Sequence, residues 1–278
     1  MTETADHLDA VGATARWTAA ARAYERTQPE PLVDDPWAEE LAGDAGMAWL
    51  AQKGPDTTLP MVIRTRFFDD WLAEVTAGGP IRQAVLLGAG LDTRAWRLPW
   101  PEGFTLFEVD RETVLNEKAA VFEEAAALPR CRRAPVPADL SEGWACSLLA
   151  AGLNPIDPAV WLAEGLLFYL PDESVREVLR AVTHLAAAGS RLGFDIPNRV
   201  VLSSPWTKPW LDMQAAAGAP WLAAMDDPTA ELGALGWRAS VTQPGEGDTG
   251  HGRWTLPVPP AAAVDLPHSW YVTAVRTR

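Results

Sequence analysis

The chain has 278 residues and a formal charge of −14 at pH 7, with 37 acidic against 23 basic side chains. That balance argues against a nucleic-acid partner, which needs a basic face, and no apolar run reaches the ~18 residues of a membrane span. Two cysteines without C-x-x-C spacing (Cys131, Cys146) give no disulfide framework, and a polar, acidic start is unlike a secretory leader, so a cytoplasmic chain is expected. From 14 to 76 the pattern is helical, with Trp17, Ala20, Ala21 and Tyr24 on one face. A second helix is expected near Asp35-Pro36, with Asp capping and Pro in the first turn. A third covers 61–75 and carries Arg64, Phe67, Phe68, Trp71 and Leu72. The expected organisation is a helical cap over 1–76 packed on a core over 77–278, in one structural domain.

The centre alternates strands and helices. Strands are expected near 82–88, 104–110, 132–136, 158–164 and 190–196, and the best helix between them spans 172–187 with Val175, Val178, Leu179, Val182 and Leu185 on one face. Repeated βα units with strand-sized apolar runs imply an α/β, doubly wound, mostly parallel sheet. The first unit carries the chemistry. Ala84-Val85-Leu86-Leu87 reads as a buried strand, and Gly88-Ala89-Gly90 follows at once, letting backbone approach a ligand with no Cβ in the way. Asp110 ends the next strand, 20 residues after Gly90, where a carboxylate accepts hydrogen bonds from a ribose diol. A dinucleotide site would place a third glycine where Thr93 stands, and Asp92 would repel a pyrophosphate at the helix start. A cofactor with a positive centre and no phosphate, S-adenosylmethionine, suits the turn better. Asp139-Leu140 closes the third strand's loop, where Asp139 either meets an adenine amino group or caps the next helix. Beyond 197 the pattern loosens. Two helices are expected within 205–235, strands near 237–243 and 268–275, and between them a Gly/Pro-rich loop, 244–267, that with 197–236 would cover a substrate.

Four stretches together resemble the leucine carboxyl methyltransferase family, especially its bacterial branch of polyketide-biosynthesis O-methyltransferases. They are Arg64-Thr65-Arg66-Phe67-Phe68-Asp69, Leu87-Gly88-Ala89-Gly90-Leu91-Asp92-Thr93-Arg94, Phe107-Glu108-Val109-Asp110 and Ala163-Glu164-Gly165-Leu166-Leu167-Phe168-Tyr169-Leu170-Pro171. The early segment ending in Asp35-Pro36 and the late Gly252-Arg253-Trp254 also match. The resemblance implies a class I methyltransferase-like seven-stranded sheet, with 268–275 as the added strand, and S-adenosylmethionine as cofactor. It implies that Arg64 holds the methionine carboxylate with a planar fork, that Glu164 faces the cofactor, and that Gly88, Ala89, Gly90, Asp110, Asp139 and Leu140 complete its site. Some members carry a cofactor-contacting lysine near the N-terminus; here no lysine precedes Lys53, and Arg16, Arg22 or Arg26 would have to substitute.

Methyl transfer from a sulfonium is an in-line displacement, so the protein must align the reactants and exclude water. A substrate carboxylate is already ionised at pH 7, whereas a phenol would benefit from a base. Of the four histidines, His7 and His184 read as solvated or structural, and His251 in the long loop is the candidate to reach substrate. No convincing acid–base pair emerges, which favours a carboxylate. Phe168 and Tyr169 would meet the substrate, with Tyr169 donating to a carboxylate, and Trp206, Trp210, Trp221 and Trp254 would supply an aromatic wall suited to a flat acid. The sequence-level expectation is therefore esterification of a small-molecule acid, with phenolic O-methylation as the neighbouring alternative. A nicotinamide-dependent oxidoreductase, or a non-catalytic binder on the same fold, stays open outside that class.

Overall fold

The computed structural model describes residues 10–277. The acidic start and His7 lie outside that range. Three helices come first: α1 (Ala10–Arg26), α2 (Ala38–Lys53) and α3 (Leu59–Thr76). The alternating part follows as β1 (Gln83–Leu87), α4 (Arg94–Arg97), β2 (Thr105–Asp110), α5 (Glu112–Glu124), β3 (Arg132–Pro137), α6 (Trp144–Ala150), β4 (Val160–Ala163), α7 (Asp172–Leu185) and β5 (Arg191–Pro197). The chain then forms α8 (Arg199–Ser203), α9 (Lys208–Ala216), α10 (Pro228–Ala234), β6 (Trp237–Thr242) and β7 (Ser269–Arg276). Among the described residues no helix is long and apolar enough to cross a membrane.

The seven strands form one sheet in the order β3-β2-β1-β4-β5-β7-β6, parallel except for β7, which runs antiparallel to both β5 and β6. This is the class I methyltransferase-like arrangement expected from the sequence. Side chains alternate across a strand, and the two faces carry separate cores. Val85, Leu87, Phe107, Val109 and Trp161 pack on one face with Leu148, Val178, Val182 and Leu232 from α6, α7 and α10. Ala84, Leu86, Leu106, Val160 and Leu162 pack on the other with Ala19, Ala20, Leu41, Phe68, Leu72 and Phe122 from α1, α2, α3 and α5. Both faces being covered explains why β4, and β1 after Gln83, are apolar throughout. Buried Glu108 on β2 accepts from Lys118 at 2.9 Å and Arg133 at 2.7 Å, joining β2 to α5 and β3.

The second helix starts near the expected place, but its expected cap needs correction. α2 begins at Ala38 and has no side-chain cap. The Asp35 carboxylate, 1 % exposed, gives Oδ1 to the Trp37 N–H at 3.1 Å just ahead of the helix, while Oδ2 accepts from Arg22 at 2.8 Å and from the Thr93 hydroxyl at 2.6 Å, because a buried carboxylate is better satisfied by a cation than by a helix end alone. It ties α1 to the glycine turn. The strand order reverses between β1 and β4, and the crevice at their carboxyl ends is where such sheets bind ligands.

Candidate functional site

A cavity of about 750 Å³ opens at that crevice. It is lined by Arg64 of α3, the turn Gly88-Ala89-Gly90, Asp110 at the end of β2, Asp139-Leu140 after β3, and Glu164 after β4. The structure thus brings together every residue the sequence assigned to the cofactor. Gly88 and Gly90 adopt φ +61° and +48°, which side-chain-bearing residues avoid, and a Cβ on Gly88 would lie 2.7 Å from Leu166 Cδ1. Asp110 accepts the Gly90 N–H through Oδ2 and the Arg111 N–H through Oδ1, each at 2.7 Å. Each oxygen keeps capacity for a hydroxyl donor. Asp139 accepts the Ser141 N–H at 2.7 Å, which holds its carboxyl below the usual range. It does not cap α6, whose N-cap is Gly143, so the capping alternative falls away.

Beneath the turn lies a buried charge cluster. Glu164 accepts from Arg64 Nε at 3.1 Å, from the Thr65 hydroxyl at 3.2 Å and from Arg94 Nη2 at 2.7 Å. Arg64 Nη1 also reaches Asp195 Oδ2 at 3.1 Å, while Asp195 Oδ1 accepts the Gly165 N–H at 2.6 Å. Arg94 donates further to Asp69 at 2.7 Å and Asp92 at 2.5 Å, and Arg97 pairs with the other side of Asp69. Arg64 is therefore a buried member of this cluster, whereas Arg66 makes a surface pair with Asp70 at 2.8 Å. Among the described residues this cluster sets four carboxylates (Asp69, Asp92, Glu164, Asp195) against three guanidiniums (Arg64, Arg94, Arg97). One negative charge is in excess in a poorly solvated place, which suits a ligand of net positive charge and opposes a pyrophosphate. Burial opposes the charge on Arg94, but Asp92, Glu164 and Asp69 outweigh it and keep the group firmly cationic. Burial pushes the Asp110 and Asp195 carboxyls above their ordinary range. It also pushes the Tyr169 and Tyr271 phenols up, so both stay neutral and can donate.

The C-terminal segments close the other side. Phe168 and Tyr169 line the cavity from a single 3₁₀ turn, and Trp221 packs on Phe168 at 4.4 Å. Trp210 and Trp254 line it too, with Pro244 and Leu256. Arg253 reaches back to Glu25 of α1 in a two-fold pair at 2.5 and 3.0 Å. Arg22 also lines the cavity, but its guanidinium is committed to Asp35 and the Leu91 carbonyl.

Two sequence assignments are corrected. His251 does not line the cavity. Its residue sits in a left-handed turn (φ +47°) that aims the ring at a separate, smaller hollow, with Nε2 3.9 Å from Asp70 on the outer face of α3. Trp206 is 90 % exposed in the connection between α8 and α9, and the cavity is lined instead by Thr207, the N-cap of α9, and Trp210 within that helix. Sequence reasoning passed over Asp195, Gln214 and Tyr271, and gave Arg94 no role. An acid inside the apolar strand Leu192–Ile196 was the available signal for Asp195, and Arg94 stood in a quoted motif.

Comparison with known proteins follows the same lines. The leucine carboxyl methyltransferase family model matches residues 15–183. A protein of Frankia alni named as an S-adenosyl-L-methionine-dependent methyltransferase is 42% identical over 87% of this chain and 88% of its own length. Similarly named proteins of Streptomyces avermitilis and Mycolicibacterium vanbaalenii are 40% and 34% identical, over 82% and 98% of this chain and 83% and 97% of theirs. Two solved structures share the fold at 17% identity. A DUF574 family protein from Streptomyces avermitilis gives TM-score 0.60 over 94% of this chain and 97% of that one. A protein of Thermobifida fusca named as a methyltransferase gives 0.59 over 95% and 94%.

Proposed function

Because the chain belongs to the leucine carboxyl methyltransferase family and is an S-adenosylmethionine-dependent methyltransferase, we propose that it is an O-methyltransferase forming the methyl ester of a small aromatic carboxylic acid. The observation that carries the reading is the absence of a base. Among the described residues no histidine lines the cavity, and each carboxylate that does is already tied. Asp92, Glu164 and Asp195 are bonded to guanidiniums, Asp110 and Asp139 to backbone N–H groups. With no histidine there and every lining carboxylate already engaged, a nucleophile that arrives ionised fits the cavity best, and a carboxylate does so at neutral pH.

The bound cofactor supplies an electrophilic methyl group on a sulfonium. Asp110 would take the ribose hydroxyls, Asp139 and Leu140 would flank the adenine, and Gly88 and Gly90 would let the chain approach without side-chain obstruction. Arg64 uses Nε and Nη1 on Glu164 and Asp195, leaving Nη2 to meet the cofactor's carboxylate. The excess negative charge of the cluster would favour the cation. On the substrate side, neutral Tyr169 donates to the acid and holds one oxygen in place. Phe168, Trp210, Trp221 and Trp254 supply flat apolar walls and keep water out.

The test is a matched pair of substrates, 2-naphthoate and 2-naphthol, with turnover followed against pH. Methylation of the acid with a rate flat through neutrality supports the reading. Methylation of the naphthol in its place, with a rate rising with pH, contradicts it.

A further inference from the structure

Helix α9 and its N-cap turn Thr207, Trp210 and Gln214 toward the cavity, at spacings of three and four residues. Gln214 is the buried position of that helix, 2 % exposed, and core patterning would place an apolar residue such as leucine or methionine there. Its amide oxygen is shut off from solvent and has no hydrogen-bond partner in the protein. Buried amides are nearly always paired, so this one lacks a partner that the fold does not provide. The surrounding wall, with Trp210, Trp221 and Phe168, is aromatic. A polar group kept in such a wall serves recognition better than packing.

We propose that Gln214 is a specificity-determining residue that accepts a hydrogen bond from a hydroxyl or N–H on the substrate, at a point other than the group methylated. The inference rests on the methyl-ester reading and narrows it. The substrate is a hydroxylated or N–H-bearing aromatic acid, not a plain hydrocarbon acid. A site built to pair with such a group rejects the analogue lacking it, because the amide is then left unpaired in the complex.

The experiment uses the full chain with saturating S-adenosylhomocysteine and reads ligand binding by quenching of tryptophan fluorescence, Trp210, Trp221 and Trp254 being in the wall. The probes are 2-naphthoate with its monohydroxy isomers, and in parallel 2-naphthol with dihydroxynaphthalenes. In the wild type at least one hydroxylated acid should bind about tenfold or more tightly than its parent. Gln214→Leu should bring that isomer down to the parent's affinity, leaving S-adenosylhomocysteine binding unchanged and Tm undiminished. Gln214→Met serves as the second variant if the leucine protein does not fold. A hydroxyl preference confined to the neutral series, lost in the variant, would sink the acid reading while supporting Gln214. A variant that shifts Tm but keeps the preference overturns the proposal. So does equal binding of parent and hydroxylated members, or no binding by any probe.

Discussion

Replacing Arg94 with methionine tests the charge cluster most severely. Arg94 is 2 % exposed and touches three carboxylates, Asp69, Asp92 and Glu164. In the variant Asp69 keeps Arg97 and Glu164 keeps Arg64, but Asp92 is left with the backbone N–H of residue 94. One buried charge therefore loses its ion-pair partner, which costs roughly 3–5 kcal/mol. At ~2–4 °C per kcal/mol for a chain of about this size, Tm should fall by roughly 6–20 °C. Arg66→Met is the control, since the Arg66–Asp70 pair is 36 and 50 % exposed and is worth at most about 1 kcal/mol. A second readout is pH. In the wild type burial raises the Asp92 carboxyl, but Arg94, with Arg97 and Lys118, outweighs it and holds it below 3.8. A depressed carboxylate stabilises the fold above its unfolded pKa and loses that contribution as pH falls through the folded one. The variant's Asp92 should titrate higher, so the gap in Tm should narrow on acidification. Calorimetric scans of the three proteins check this; an Arg94→Met protein within about 2 °C of wild type, or no worse than Arg66→Met, would refute the reasoning.

Asp110→Ala should fold normally by circular dichroism yet lose roughly 10- to 100-fold in affinity for S-adenosylhomocysteine by calorimetric titration, since hydrogen bonds to a charged group are worth about 1.5–3 kcal/mol. Asp110 and Asp195 carry carboxyl pKa values raised by burial. The ligand-free fold thus holds these two protons more tightly than the unfolded chain, and it loses stability as pH rises from the unfolded values through the folded ones. A cationic ligand needs the ionised forms, so S-adenosylmethionine affinity should weaken as pH falls through the raised range of these carboxyls, more steeply than that of the uncharged-sulfur product. Equal slopes in parallel titrations would count against a role for the cluster's charge. Arg253→Met removes the two-fold pair that fastens the 244–267 loop to Glu25 of α1. Limited proteolysis should then cut that loop faster than in wild type, and unchanged cleavage would show that the strap does not hold it.

The sheet was legible because its signals are local. Apolar runs such as Ala84–Leu87 and Val160–Ala163 have nowhere to go but a covered parallel sheet, and Asp110 announces itself at a strand's end. That the residues assigned to the cofactor would share one crevice was legible for the same reason, as they stand at loop positions fixed by the strands. What escaped was set by tertiary pairing. Asp35 reads as a helix cap until Arg22 and Thr93 are seen to claim it. His251 reads as a loop base until the left-handed turn aims it at Asp70. Gln214 carries no motif at all; its meaning comes from burial without a partner.

The most direct test of methyl-ester formation uses methyl-labelled S-adenosylmethionine with the hydroxynaphthoate series, followed by mild alkali. An ester hydrolyses and releases labelled methanol, whereas an aryl methyl ether survives. The account predicts that the label incorporated into product leaves as volatile methanol. Label that stays on the aromatic product would show that a hydroxyl, not the carboxylate, had received the methyl group.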